Sequence, residues 1–184
     1  MARFMKPMRS WLGRKAREDD GTATIPFVIF LPFFLVLVVS SLEMGLLMVR
    51  HVMLERALDM SVRGLRLGTW SNPTHQSIKR EICNNAGLIP DCMNTVLVEL
   101  RPVSKVTWEP LSTGPTCVDR AEPVQPVTEF NPGIGDDMML IRACSKFDPI
   151  FPLTGAGFHL PKDNTGAYAL VAATAFVNEP DLGS

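Results

Sequence analysis

The pattern of apolar and polar residues begins with one long apolar run. Residues 25–49 contain no Lys or Arg and a single ionisable side chain, Glu43. A helix of about 25 residues is about 37 Å long, enough to cross a bilayer, and it satisfies its own backbone hydrogen bonds in lipid. The run therefore predicts a transmembrane helix. A cleaved signal peptide is a weaker interpretation because no small-residue cleavage site follows, and a buried core helix is weaker because every face is apolar.

Apolar residues at helical spacing continue directly beyond this run. No Pro or turn cluster separates the two parts, so one continuous helix is expected over about residues 21–69. Gly68 is suited to its C-terminal cap. Four apolar side chains beyond the span fall on one helical face: Leu54, Leu58, Val62 and Leu65. This stripe is expected to lie under a globular head.

Two residues of the span are unusual for a membrane helix. Pro32 removes a backbone hydrogen bond and is expected to kink or loosen the helix. Glu43 lies near the outer end of the span. It is either a site for a functional partner or a side chain that reaches up to the interface.

Residues 70–184 show the pattern of a small α+β head. A short helix is expected over residues 75–85. Three apolar, β-branched segments predict strands, and the last is apolar enough to be central: residues 95–103, 138–147 and 167–177. Long loops rich in Pro and Gly connect them. The fold class is therefore α+β, with an antiparallel sheet packed on the long helix.

The distribution of charge predicts the orientation of the chain in the membrane. Residues 1–20 hold six Lys and Arg residues, so the positive-inside rule predicts a basic cytoplasmic leader and a head across the membrane. The head has 8 Lys and Arg against 13 Asp and Glu, a net charge near −5. An acidic head argues against binding to nucleic acid, which favours a basic face.

All four cysteines lie beyond the span, as expected of disulfides in an oxidising compartment. Four cysteines allow three pairings. The favoured one joins Cys83 to Cys92 across a short loop and Cys117 to Cys144, which ties a long loop to a strand. A zinc site is the alternative, but the chain has no CxxC pair.

Motifs that carry catalysis are missing from the sequence. It has no GxSxG, HExxH, Walker or EF-hand pattern. His51, His75 and His159 show no partner at a recognisable spacing. Asp136 and Asp137 are typical of a solvated turn. No catalytic residue, metal or cofactor is expected.

One further pattern joins the leader, the span and the last strand. Residues 20–25 read Asp-Gly-Thr-Ala-Thr-Ile, an apolar run containing Leu31-Pro32 follows, and Glu43-Met44-Gly45 comes near its end. The last strand closes on Thr-Ala-Phe-Val-Asn-Glu-Pro at residues 174–180. Together these segments resemble the TadE-like proteins of tight-adherence pilus systems, over about half of the chain.

The resemblance implies a non-enzymatic, pilin-like membrane subunit. It would be anchored in a bacterial inner membrane with a periplasmic head and would assemble with other pilins, pseudopilins and pilus machinery. A prepilin peptidase would cut after Gly21 and leave Thr22 as the first mature residue. Pro26 then stands where the pilin pattern has a Glu, so the carboxylate that pairs with a neighbour's amine is lost; a tip or initiating subunit tolerates this. The alternative function is a membrane-anchored periplasmic enzyme or sensor domain.

Overall fold

The computed structural model describes residues 23–70, 72–107, 114–122, 124–152 and 155–179. The expected cleavage site at Gly21 and Thr22 lies outside these ranges. The elements in chain order are α1 (Thr24–Arg66), α2 (His75–Asn85), α3 (Cys92–Thr95), β1 (Val96–Pro102), β2 (Met138–Phe147), α4 (Gly155–His159) and β3 (Tyr168–Val177). The fold is α+β, with one long apolar helix and a small antiparallel sheet.

Helix α1 is continuous over 43 residues. In the described part of the chain it is the one helix long and apolar enough to cross a membrane. Pro26 is tolerated because it lies in the first turn, where a backbone N–H has no partner within the helix; Phe27 makes the first bond, to Ala23. The helix also continues through Pro32 without interruption.

The end of α1 is a Schellman motif. Gly68 has a positive φ of 60° and donates to the Leu65 carbonyl, while Thr69 donates to the Gly64 carbonyl. Only glycine adopts this backbone conformation without a steric penalty, so Gly68 sets where the helix stops.

The three strands form an antiparallel sheet in the order β1-β2-β3. The prediction that the last strand is central is therefore wrong, because β2 is central and β3 lies at an edge. Helix α1 reaches that edge: the ring Nε2 of His51 lies 3.2 Å from the Val171 carbonyl oxygen. Strand β3 is apolar because α1 packs along it. The apolar character of the strand therefore does not require a neighbouring strand on each side.

The core lies between α1 and the sheet. Leu54 and Leu58 are completely or almost completely buried, Val62 is 8% exposed and Leu65 packs at the margin. The stripe predicted from the sequence therefore packs in the core. It meets alternate residues of the strands, such as Ile141. Helix α2 closes one side through Ile78 and Ile82, and begins at a capping box formed by Thr74 and Ser77.

The opposite face of the sheet carries a buried ion pair. Glu99 and Arg142 stand directly opposite each other on β1 and β2, each 7% exposed, with Nη2 of Arg142 2.7 Å from Oε2 of Glu99. Cys144 lies on the same face and is bonded to Cys117. A slip of one residue between the strands would bury both charges apart from each other, so this pair favours a single register.

Truncation of the stripe is expected to destabilise the head. Leu58→Ala removes buried methyl groups from the core and leaves a cavity, which costs about 2–5 kcal/mol. Thermal unfolding of the detergent-solubilised chain measures this loss. The matched control is Met60→Ala, on the exposed side of the same helix. Equal melting temperatures for the two variants would contradict the packing described here.

Candidate functional site

The head is attached to the apolar helix at Glu43. This residue is 2% exposed, although neighbouring residues on the other faces of the helix are exposed. Its Oε1 accepts a hydrogen bond from the Ile150 backbone N–H at 2.9 Å and a longer one from the Phe151 N–H at 3.5 Å. Its Oε2 has no hydrogen-bond partner among the described residues. The structure therefore gives Glu43 a partner within its own chain, the backbone of the head.

Two glycines of α4 bring the backbone of the head against the helix. A Cβ added to Gly155 would lie 1.6 Å from the Ser40 Oγ, and one added to Gly157 would lie 2.4 Å from the Phe151 carbonyl oxygen. Neither position has room for a side chain. The close approach of α4 to α1 at Ser40 and Glu43 therefore depends on both glycines.

Aromatic rings and one cation lie above this contact. The Arg50 guanidinium is 4.9 Å from the centroid of the Phe147 ring, and the Phe147 and Tyr168 centroids are 6.0 Å apart. Burial raises the pKa of the Tyr168 hydroxyl, and the nearby Arg50 opposes that effect in part. The hydroxyl therefore stays neutral at pH 7. Cation–π attraction of this kind strengthens where water is excluded.

A cleft of about 280 Å³ opens beside Arg50, with Arg120, Lys146 and Asp148 in its walls. Arg120 donates to both oxygens of Asp148 at 2.7 Å, and Lys146 donates to Asp163 at 2.6 Å. These hydrogen bonds hold the pKa of both carboxyl groups below the usual value. The carboxylates of Asp148 and Asp163 are therefore both held in ion pairs. Across the described residues no group of three or more His, Cys, Asp or Glu could hold a metal ion.

A second unusual pair lies at the start of α2. The Nε2 of His75 is buried without a hydrogen-bond partner among the described residues, and its ring meets Phe130 edge-on at 5.8 Å. Desolvation lowers the pKa of His75 and of Lys79, and the charge of Lys79 lowers that of His75 further. Neither side chain lines the cleft beside Arg50. The pair is better described as a source of pH sensitivity than as a catalytic site.

The structure places the other site residues of the sequence analysis as follows. Cys83 is bonded to Cys92 and Cys117 to Cys144, the two pairs favoured above. Pro26 and Pro32 lie in the part of α1 that is exposed on every side. None of these residues takes part in the contact at Glu43.

Sequence reasoning missed the partner of Glu43. One signal was present: residues 149–161 contain no Asp, Glu, Lys or Arg, in a head that is otherwise rich in charge. The segment was interpreted only as a Pro- and Gly-rich loop. Its backbone N–H groups, which bind Glu43, carry no signature in the sequence because every residue except Pro has one.

Removal of the Glu43 carboxylate is expected to release residues 150 and 151. Hydrogen bonds to a charged group contribute about 1.5–3 kcal/mol, so Glu43→Ala should speed amide exchange at Ile150 by about 10- to 100-fold. Hydrogen–deuterium exchange with mass spectrometry measures this. Met44→Ala, at the exposed neighbouring position, is the control and should leave the rate unchanged. Equal rates in both variants would show that Glu43 does not hold the loop.

Acidification is expected to destabilise the head through His75. A pKa lowered in the folded state means that the unfolded chain binds the proton more readily, so stability is full above the unfolded pKa of about 6.5 and falls as the pH drops below it. The melting temperature should therefore decrease between pH 7.5 and 5.5. His75→Gln should reduce that decrease, whereas the exposed His159→Gln should not. A decrease of the same size in all three proteins would refute this account.

Comparison of the chain with family models, curated proteins and solved structures finds no match.

Proposed function

We propose that this chain is a pilin-like, non-enzymatic subunit that assembles a tight-adherence pilus, as its resemblance to the TadE-like proteins implies. The observation that carries the proposal is the division of α1. Its first part is exposed on all sides, and its second part lies under a three-stranded sheet. A subunit of this form can leave a bilayer by exchanging lipid for other helices along the first part while the head stays folded.

The proposed location is a bacterial inner membrane, with the basic leader in the cytoplasm and the head in the periplasm. Two disulfides in the head fit an oxidising compartment on that side of the membrane. The proposed partners are other pilins and pseudopilins, the assembly machinery, and a prepilin peptidase that cuts between Gly21 and Thr22. Pro26 supplies no carboxylate for a neighbour's amine, which favours a tip or initiating position.

A deletion strain tests the function. Loss of the gene should abolish surface pili, and the wild-type gene should restore them. Complementation with Leu58→Asp should fail because an unpaired charge is buried in the core. Normal pili in the deletion strain would refute the proposal.

Fractionation of the same cells tests the location and the processing. Mass spectrometry of sheared pili and of inner membranes shows where the chain resides. N-terminal peptides starting at Thr22 would support cleavage, and intact leader peptides in peptidase-positive cells would contradict it.

A further inference from the structure

The bare part of α1 is too short to cross a bilayer alone. Every side chain from Thr24 to Val38 is exposed, and burial against the head begins at position 39. This bare part is about 15 residues, or about 22 Å, whereas the hydrocarbon core of a bilayer is about 30 Å thick. Gly21, Thr22 and Ala23 precede it and would add about 4.5 Å, which still leaves a span a few Å short. Asp19 and Asp20 come next in the sequence, so further extension in that direction would bring carboxylates into lipid.

The remaining length of the membrane span therefore lies on the head side of Val38. About 20 helical residues counted from Thr24 reach Glu43, the position that the head covers. The part of the head beside Ser40 and Glu43 therefore lies at the depth of the hydrocarbon boundary. That part is formed by residues 149–152 and 155–160, which we name the juxtamembrane loop.

The juxtamembrane loop has the chemistry of a lipid-facing surface. It carries no Asp, Glu, Lys or Arg. Three of its large apolar side chains point away from the core: Ile150 is 46% exposed, Phe151 40% and Phe158 65%. The Lys162 ammonium donates to the Pro152 carbonyl oxygen at 3.4 Å, so one charged group lies at the edge of the loop.

We propose that the juxtamembrane loop inserts into the head-side leaflet of the bilayer, so that the head is seated in the lipid instead of standing above it. The ligand of this surface is the acyl-chain and headgroup boundary of phospholipids. Irregular backbone enters a membrane only where its polar groups are satisfied. Glu43 meets that requirement for two of them, because it accepts from the Ile150 and Phe151 N–H groups.

The basic side chains on the far side of the loop from the bilayer centre are consistent with this depth of the loop in the membrane. Arg50 is seven residues beyond Glu43, about 10 Å further along the helix, which places it at the outer edge of a headgroup region that is about 5–7 Å deep. The cleft beside it contains Arg120 and Lys146. Arg120 and Lys146 are ion-paired with Asp148 and Asp163, so Arg50 is the basic side chain at this level that can meet lipid phosphates.

Collision accessibility of a spin label tests the insertion. All four native cysteines are in disulfides, so a label attaches only to a new cysteine. The test sites are Phe158→Cys and Ile150→Cys. Phe30→Cys, 71% exposed in the bare part of α1, is the lipid reference. Val106→Cys is the water reference. Val106 is 89% exposed and follows the C-terminal end of β1, at the other end of the sheet from Phe147 and Tyr168.

The full chain is reconstituted at one copy per nanodisc of phosphatidylethanolamine and phosphatidylglycerol. The expected result is an oxygen-to-nickel accessibility ratio at both test sites that is several-fold above that of Val106→Cys and close to that of Phe30→Cys. A ratio equal to that of Val106→Cys would overturn the proposal. So would a ratio that rises only with several chains per disc, because the loop would then be covered by a neighbouring helix. Peptide mapping of the two native disulfides verifies that each variant is folded. The result is independent of any role in a pilus.

Discussion

The structure depends on one helix that serves two environments. Helix α1 presents apolar side chains in every direction over its first part and only along one stripe over its second. The stripe supplies the core of a head that has only three strands, and such a small sheet needs a helix to cover one face. Leu54 and Leu58 therefore hold the head together and also join it rigidly to the apolar part.

The part of α1 that is exposed on all sides meets the part that is packed against the head near Glu43. A carboxylate at the boundary of an apolar helix is costly unless it has partners, and here the partners are backbone N–H groups of the head. Gly155 and Gly157 allow the backbone to approach closely enough for this contact. The arrangement fixes the position of the head along the helix.

The far side of the sheet is stabilised by other means. In the part of the chain that the structure describes, this side carries the Glu99–Arg142 pair and the disulfide from Cys144 to Cys117. Replacement of such an ion pair by apolar residues is often neutral for stability. Its more evident effect is on register, since the two charges meet only in the observed alignment of β1 and β2.

The sequence by itself determined the elements with strong local patterns. Continuous apolar character and helical spacing predicted α1 and its buried stripe, and β2 agrees residue for residue with the expected strand at 138–147. The favoured cysteine pairs are those seen in the structure, although the sequence alone allowed three pairings. These features depend on periodicity or on the chain nearby, which a sequence displays directly.

Only the tertiary structure decided the features that join distant segments. The order of the strands, with β3 at the edge, depends on where α1 packs, and an apolar strand has the same pattern beneath a helix as between two strands. The partner of Glu43 is a backbone group more than 100 residues away, and the pairing of Glu99 with Arg142 follows from register. Sequence spacing carries no record of these contacts, because each depends on how the fold brings distant segments together. The groups that bind Glu43 are backbone N–H groups, which every residue except Pro supplies.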